Sequence, residues 1–476
     1  PIARLSLPFL GFMEPIHGIS SSPPPSPRLL WAGLLIVVAV GVLLRWGFAV
    51  HPRPAIFWDS ASYVDYAKSW AQTGRIEGVD TRRSPGYPAF LVLVGRPILD
   101  AARVVTAQRV LGVLSGVLVF LLVWAMTRRV GVATAAGVGA PLILDASLFE
   151  LAIYSETLAL FLVTAALAGI AVAEARGRPA GAIAGCLAAG LGVTVRPVLL
   201  AAAPFFAASL IALVRGRRIS RAAAAASLVL LALPTAAGAL ARGGRHTGSG
   251  FVGLTLLDYA GMPQLYRRLP PEMDDVRRVF ERCGSPYADH GCGWYESIDE
   301  LAALERRRTG REMSRDEAGT RVALRVIAAA PLGYAKVWRR AVRRFFTDVN
   351  TEIGFYASAD DLRARRPQFE GTRATVLEVG RRLLKGVIPI FSLLALVGPP
   401  SIAIAHRRRS TAIPVAVALS WTTVVGVAVA TASLEPSVGT GRYRVPVDLA
   451  ILALVAWTLT VLFRKGPAAA TVANGR

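Results

Sequence analysis

The stretch Ile153–Ala173, IYSETLALFLVTAALAGIAVA, decides the fold. After Glu156 it runs to Ala173 without a charge, in residues that suit a helix, and about 20 such residues span a bilayer core. Seven further runs read the same way, over residues 29–48, 104–126, 198–214, 222–241, 386–405, 411–431 and 445–463. Two weaker ones, 131–149 and 179–195, are rich in Ala and Gly, as suits helices packed inside a bundle through small residues. The expectation is an all-α polytopic membrane protein with about ten transmembrane helices.

The composition agrees. Of 476 residues 54% are hydrophobic and only 18% charged, with a mean hydropathy of +0.48. A soluble domain carries about a quarter charged residues, so one soluble globule is excluded, and so is a disordered chain. No cleavable signal is evident before the first full-length run. The chain begins at Pro1 and Met13 offers a native start, which would leave residues 1–12 outside the native chain.

The formal charge of +23 is placed by topology. With a cytoplasmic N-terminus, the connections Arg128–Arg129, Arg176–Arg178, Arg215–Arg221 and Arg407–Arg409, with the tail residues Arg464 and Lys465, hold thirteen basic residues against one acid, Glu174. The positive-inside rule then puts both ends in the cytoplasm. A nucleic-acid partner would need a basic patch on an exposed domain, and none is evident. The remaining carboxylates gather on the other side, nineteen of 31 within residues 242–380. The expected organisation is a cytoplasmic tail 1–28, helices 1–7 over 29–241 with an outer loop 49–102, an extracytoplasmic region 242–380, helices 8–10 over 381–463, and a cytoplasmic tail 464–476. The expected location is the inner or plasma membrane, with the active site extracytoplasmic.

In the first outer loop, Trp58–Gln72 patterns as an amphipathic interfacial helix, and Tyr87–Leu99 is apolar but too short to span. The outer region shows helical patterning around 271–282, 296–310 and 314–330. PLGYAKVWRRAVRRFF, residues 331–346, is a basic amphipathic helix that would lie on the membrane surface or contact an anionic lipid headgroup. Cys186 falls within a span as packing. Cys283 and Cys292 lie in an oxidising compartment and are expected to be bonded; Asp289 and His290 between them fit no zinc spacing.

Polar residues at membrane depth are costly and so mark function. Asp59 follows helix 1 beside Phe57 and Trp58, where partial desolvation suits a general base; a helix cap is the other reading. RRSPGYP, Arg82–Pro88, is a rigid turn that would bring Arg83 and Tyr87 near that loop. Ser155 and Glu156 begin a span, where an acid also suits the helix dipole, and Arg196 matches Glu156 in sign. Arg442 and Arg444 bracket Tyr443 at the bilayer edge, where a guanidinium fork fits phosphate and snorkelling is the alternative. Tyr63, Tyr87 and Tyr443 are candidate substrate contacts.

In this order the motifs resemble the integral-membrane glycosyltransferases of the GT-C superfamily, in the branch of the protein mannosyltransferases and aminoarabinose transferases. They are DSASYVDYAKSWAQTG from Asp59, R-x-PGYP from Arg83, Ser155-Glu156, Arg196-Pro197, and RYRxP from Arg442 to Pro446. The resemblance covers most of 29–241 and 381–463 and leaves out 242–380. It implies a polyprenyl-monophosphate sugar donor, a glycan, lipid or protein acceptor in the cell envelope, and transfer with inversion on the outer face. Asp59 would be the catalytic carboxylate, with Glu156 as the remaining partner acid. Arg83, Arg196, Arg442 and Arg444 would hold the donor phosphate. Ser60 stands where many members carry a second acid, which leaves a divalent metal possible but not indicated and a second carboxylate open. The chemistry agrees: a sugar phosphate already has a good leaving group, so one base and positive charge at the departing phosphate suffice. The competing classes are a secondary transporter and a non-catalytic envelope-assembly protein.

Overall fold

A computed structural model describes residues 26–47, 58–74, 83–95, 100–241, 249–282, 294–348, 372–407, 413–434 and 444–463, a few of them by backbone alone. These are helical, and no β-strand occurs among them. The helices are α1 (Pro27–Gly47), α2 (Trp58–Thr73), α3 (Gly86–Gly95), α4 (Ala101–Thr127), α5 (Val130–Gly139), α6 (Leu144–Phe149), α7 (Glu156–Arg176), α8 (Pro179–Val195), α9 (Ala203–Arg215) and α10 (Arg221–Ala241). After them come α11 (Ser249–Ala260), α12 (Pro263–Tyr266), α13 (Asp274–Arg282), α14 (Trp294–Thr309), α15 (Arg315–Ala329), α16 (Pro331–Thr347), α17 (Thr372–Arg407), α18 (Val415–Leu434) and α19 (Val445–Leu462).

Among the described residues, eight helical segments are long and apolar enough to cross a membrane: Pro27–Arg45, Ala101–Thr127, Glu156–Arg176, Pro197–Arg215, Arg221–Gly238, Arg382–Ala405, Val415–Leu434 and Val445–Leu462. The protein is a multi-pass membrane protein. The two Ala/Gly-rich runs are shorter apolar helices, Val130–Leu142 and Pro179–Val195. The first does not continue to 149 as its sequence suggests: α5 tightens into a 3-10 turn at Ala140–Leu142, around Pro141, before α6. A proline withholds a backbone donor and ends the regular ladder.

Small residues set how closely these short helices pack. A Cβ on Gly169 of α7 would meet the carbonyl oxygen of Gly181 at 2.6 Å and the Cα of Gly185 at 2.8 Å, both on α8. On the other flank of α8, a Cβ on Gly190 would meet the Leu231 carbonyl of α10 at 2.5 Å. The backbones touch where any larger side chain would part them.

One end of the bundle gathers its basic connections. Arg128 donates to the Ala175 carbonyl at 2.9 Å, and the guanidiniums of Arg128 and Arg176 lie 5.4 and 4.9 Å from the ring of Trp124. The acid at this end, Glu174, accepts from the backbone amides of Val415 and Ala416 at 2.8 and 2.9 Å. It satisfies the open amides and the positive pole at the start of α18.

Beyond the opposite end, helices α11 to α16 build a second apolar core around Leu257, Tyr259, Leu265, Phe280, Leu301 and Val322. Helices α13 to α16 fall where the sequence patterning puts them, while α11 and α12 lie outside that patterning; the described residues of α11 to α16 form a small helical domain. It docks on the bundle at the end of α18: Tyr259 donates to the Ala432 carbonyl, Tyr334 to the Ser433 carbonyl at 3.3 Å, and Trp338 Nε1 to Ser433 Oγ at 3.2 Å. Helix α16 does not lay its apolar face on lipid. Gly333, Val337, Ala341 and Phe345 are buried against protein.

Candidate functional site

Four of the motifs converge at the end of the bundle away from the basic connections. Glu156, the first residue of α7, is fully buried, and its carboxylate forms an ion pair with Arg196, 8% exposed, at the end of α8. Arg196 Nε also donates to Ser155 Oγ at 3.3 Å, and Ser155 shares a 3.3 Å hydrogen bond with the Tyr63 hydroxyl. Glu156 is therefore held by a specific cation rather than standing only at a helix pole.

Tyr63 joins this pair to the RRSPGYP turn. The Arg83 guanidinium lies 5.2 Å from the centroid of the Tyr63 ring, and its Nε donates to Ser62 Oγ at 2.9 Å. Tyr87 meets Tyr63 edge to face, with centroids 5.0 Å apart. The turn can come this close because residue 86 is glycine: a Cβ there would meet Thr194 Oγ1 at 2.5 Å, two residues before Arg196. Arg83, Tyr87, Tyr63, Ser155, Glu156 and Arg196 thus form one cluster drawn from four separate stretches of sequence.

Asp59 lies in the first turn of α2, one residue after the helix start at Trp58. Its side chain lies outside what the structure describes, but the backbone beside it is fixed. Ser60 is fully buried and donates to the Ile153 carbonyl at 3.1 Å, so the start of α2 is tied to the chain two residues before Ser155. Ser60 thus clamps the start of α2 to that segment. Among the described residues no three of His, Cys, Asp and Glu gather as metal ligands.

The sequence reading missed the residue that organises this end of the bundle, Gln108 of α4. It is buried, accepts from the Tyr87 hydroxyl at 2.8 Å, and donates to the carbonyls of Phe149, Glu150 and Ala152 at 3.4, 3.0 and 2.7 Å. It binds the proline turn to the irregular segment that leads into Ser155. Burial, with Tyr63 and Glu156 nearby, raises the Tyr87 hydroxyl well above its usual range, which keeps it a donor. Also missed is the Arg45–Glu150 pair, with bonds of 2.7 and 2.5 Å. Burial pushes the Glu150 carboxyl up to about 7 despite the opposing pull of Arg45 and Arg109. A lone glutamine inside an apolar run carries no motif, which is why neither was visible beforehand.

The other candidates lie elsewhere. Arg444, 1% exposed, pairs with Asp448 at 2.6 Å and donates to the carbonyls of Asp348 and Phe345 at 2.7 and 3.3 Å. It closes the end of α16 with a cation, as a helix C-terminus favours, and these bonds compete with a phosphate for its fork. Arg442, Tyr443, Cys283 and Cys292 lie outside the described residues; Cys186 is a buried free thiol.

Solved oligosaccharyltransferase structures are similar to this chain. One from Archaeoglobus fulgidus, complexed with zinc and sulfate, matches at 13% identity and a TM-score of 0.42, over 91% of this chain and 49% of its own. Another, AglB from the same organism with an inhibitory peptide and a dolichol-phosphate, gives 13% and 0.42 over 92% and 50%. The chain thus spans about half the length of these structures. ArnT from Cupriavidus metallidurans, bound to undecaprenyl phosphate, matches at 15% and 0.34, over 87% of this chain and 78% of its own. No family model matches the sequence. No curated protein matches it either.

Proposed function

We propose that this protein is a glycosyltransferase that moves a sugar from a polyprenyl-monophosphate donor to an acceptor hydroxyl at the extracytoplasmic surface, with inversion. The observation that carries this reading is the cluster itself: two arginines, a buried acid and two tyrosines meet where α2 brings the backbone of Asp59. In this reading Asp59 takes the proton from the acceptor hydroxyl as its oxygen attacks the anomeric carbon. The bond from that carbon to the phosphate oxygen breaks, and the departing polyprenyl phosphate meets the guanidinium charge of Arg83, with Arg442 as a further donor. Glu156 takes up most of the charge of Arg196 and so sets its orientation. Arg444, with its present partners, fixes the start of α19. Charge placed in a site shielded from water acts strongly on a developing phosphate. The polyprenyl tail gains roughly 0.8 kcal/mol per buried methylene, which accounts for a site at the bundle end.

The test uses the purified full chain in detergent with a polyprenyl-phosphate sugar. The wild type is expected to release polyprenyl phosphate, and Asp59→Asn to lose at least about 100-fold in rate, the usual scale of a general base. Full activity in Asp59→Asn would overturn the assignment of Asp59. Movement of an intact solute across proteoliposomes, without cleavage of the donor, would establish a transporter instead.

A further inference from the structure

Helix α16 joins the two cores. Val337 belongs to the core of the small domain, while Ala341 and Phe345 belong to the core of the bundle. Its level is fixed at two points. Trp338 and Tyr334 reach Ser433, at the end of the spanning helix α18, and the carbonyls of Phe345 and Asp348 accept from Arg444, immediately before the spanning helix α19. Beside it α17, with which it packs, enters its apolar run at Arg382. The span α18 ends and the span α19 begins beside α16, so a bilayer around those spans would have its headgroup plane there.

The face of α16 turned away from protein carries Lys336, Arg339, Arg340 and Arg343, all exposed, and Leu332, 72% exposed, one turn before Lys336. Spacings of three and four residues put these cations on one stripe, where like charges oppose one another. Their side chains have no hydrogen bond or ion pair among the described residues. The rest of the small domain treats its arginines differently: Arg277 pairs with Asp274, Arg282 with Glu300, Arg308 with Glu305, and Arg315 with Asp299. Those arginines are matched to acids, as is Arg344 near the end of α16, whereas the four cations of the stripe have no acid partner among the described residues.

We infer that this stripe binds the phosphate headgroups of anionic membrane lipids, with Leu332 dipping into the acyl boundary. Four cations at headgroup level, beside an exposed leucine and with no acid paired to them among the described residues, are what such a surface attracts. The inference does not rest on the proposed transfer reaction. It gives a physical role to positive charge on the side of the molecule that topology would otherwise leave acidic.

The test places a benzophenone amino acid at Leu332 in the full chain, reconstituted in phosphatidylcholine nanodiscs that contain a minor share of phosphatidylglycerol. Crosslinked lipid is then identified by mass spectrometry. Phosphatidylglycerol is expected to be captured well above its share of the bilayer, and the excess to fall at high salt. Each cation removed should cost about 5-fold, the equivalent of about 1 kcal/mol per basic residue at an anionic surface, so R339Q/R340Q should lower the capture ratio about 25-fold. R339K/R340K, which keeps the charge, and R278Q, on exposed α13, should leave the ratio unchanged. Capture in proportion to bilayer composition, no lipid capture, or a ratio indifferent to R339Q/R340Q would each overturn the inference.

Discussion

At Glu156 and Arg196 the protein buries two charges at the head of a membrane helix, and the sign of their cost can be read by removing one at a time. Breaking such a pair leaves an uncompensated buried charge, at about 3–5 kcal/mol, whereas removing both is far cheaper. Arg196→Met is therefore expected to lower stability by about that amount and E156Q/R196M to recover most of it, as measured by thermal melts in detergent; equal losses would show that the pair is not coupled. Glu150 makes a second prediction, through pH. Its carboxyl, ordinarily near 4.5, is pushed up to about 7, so between those values the folded state holds more protons than the unfolded one. Stability must then fall as pH rises through that window, by on the order of 3 kcal/mol for a shift of this size. Glu150→Gln, which stays neutral, should be flat across that window and lose no stability as pH rises, and an unchanged slope in that variant would refute the assignment. Both acids lie within eight residues of sequence, yet only one was legible. Glu156 opens an apolar run and has a sign partner at another span end, while Glu150 is recognised only once α1 brings Arg45 to it.

The elements were legible to the extent that each is set by its own residues. The long apolar runs, the short apolar α3 and the helices α13 to α16 follow from hydropathy and period, which are local properties. Where neighbours decide, sequence reading stopped short. Helix α16, patterned for a membrane surface, spends its apolar face on protein. The α7–α8 contact shows how strict such neighbour effects are. Gly169 faces Gly181 and Gly185 with no room for a Cβ, so Gly169→Ala must separate the helices, and overpacking of this kind costs typically 1–3 kcal/mol. Because α7 begins at Glu156 and α8 ends beside Arg196, the same substitution should weaken the ion pair. Its melting temperature should drop, and the further loss from Arg196→Met should be smaller in the Gly169→Ala background than in the wild type. Additive losses would show that helix spacing and the pair are independent.

For the whole molecule, charge and packing agree on two unlike ends. One carries Arg128, Arg176 and the short basic connections, with Glu174 spent on the start of α18. The other carries the buried cluster of Glu156 and Arg196 and the small domain docked by Tyr259, Tyr334 and Trp338. Packing fixes which residues share an end, and the positive-inside rule predicts the direction, with the basic end expected in the cytoplasm. Any site formed by the cluster would then work on substrates outside the cytoplasm. Direction is testable without activity. In intact spheroplasts a membrane-impermeant maleimide should label Arg311→Cys, exposed between α14 and α15, and should reach Ser220→Cys, exposed between α9 and α10, only after permeabilisation. The reverse pattern would turn the molecule over and place the Glu156–Arg196 cluster in the cytoplasm. The lipid-phosphate reading would then lose its extracytoplasmic setting, while the packing of the bundle would stand.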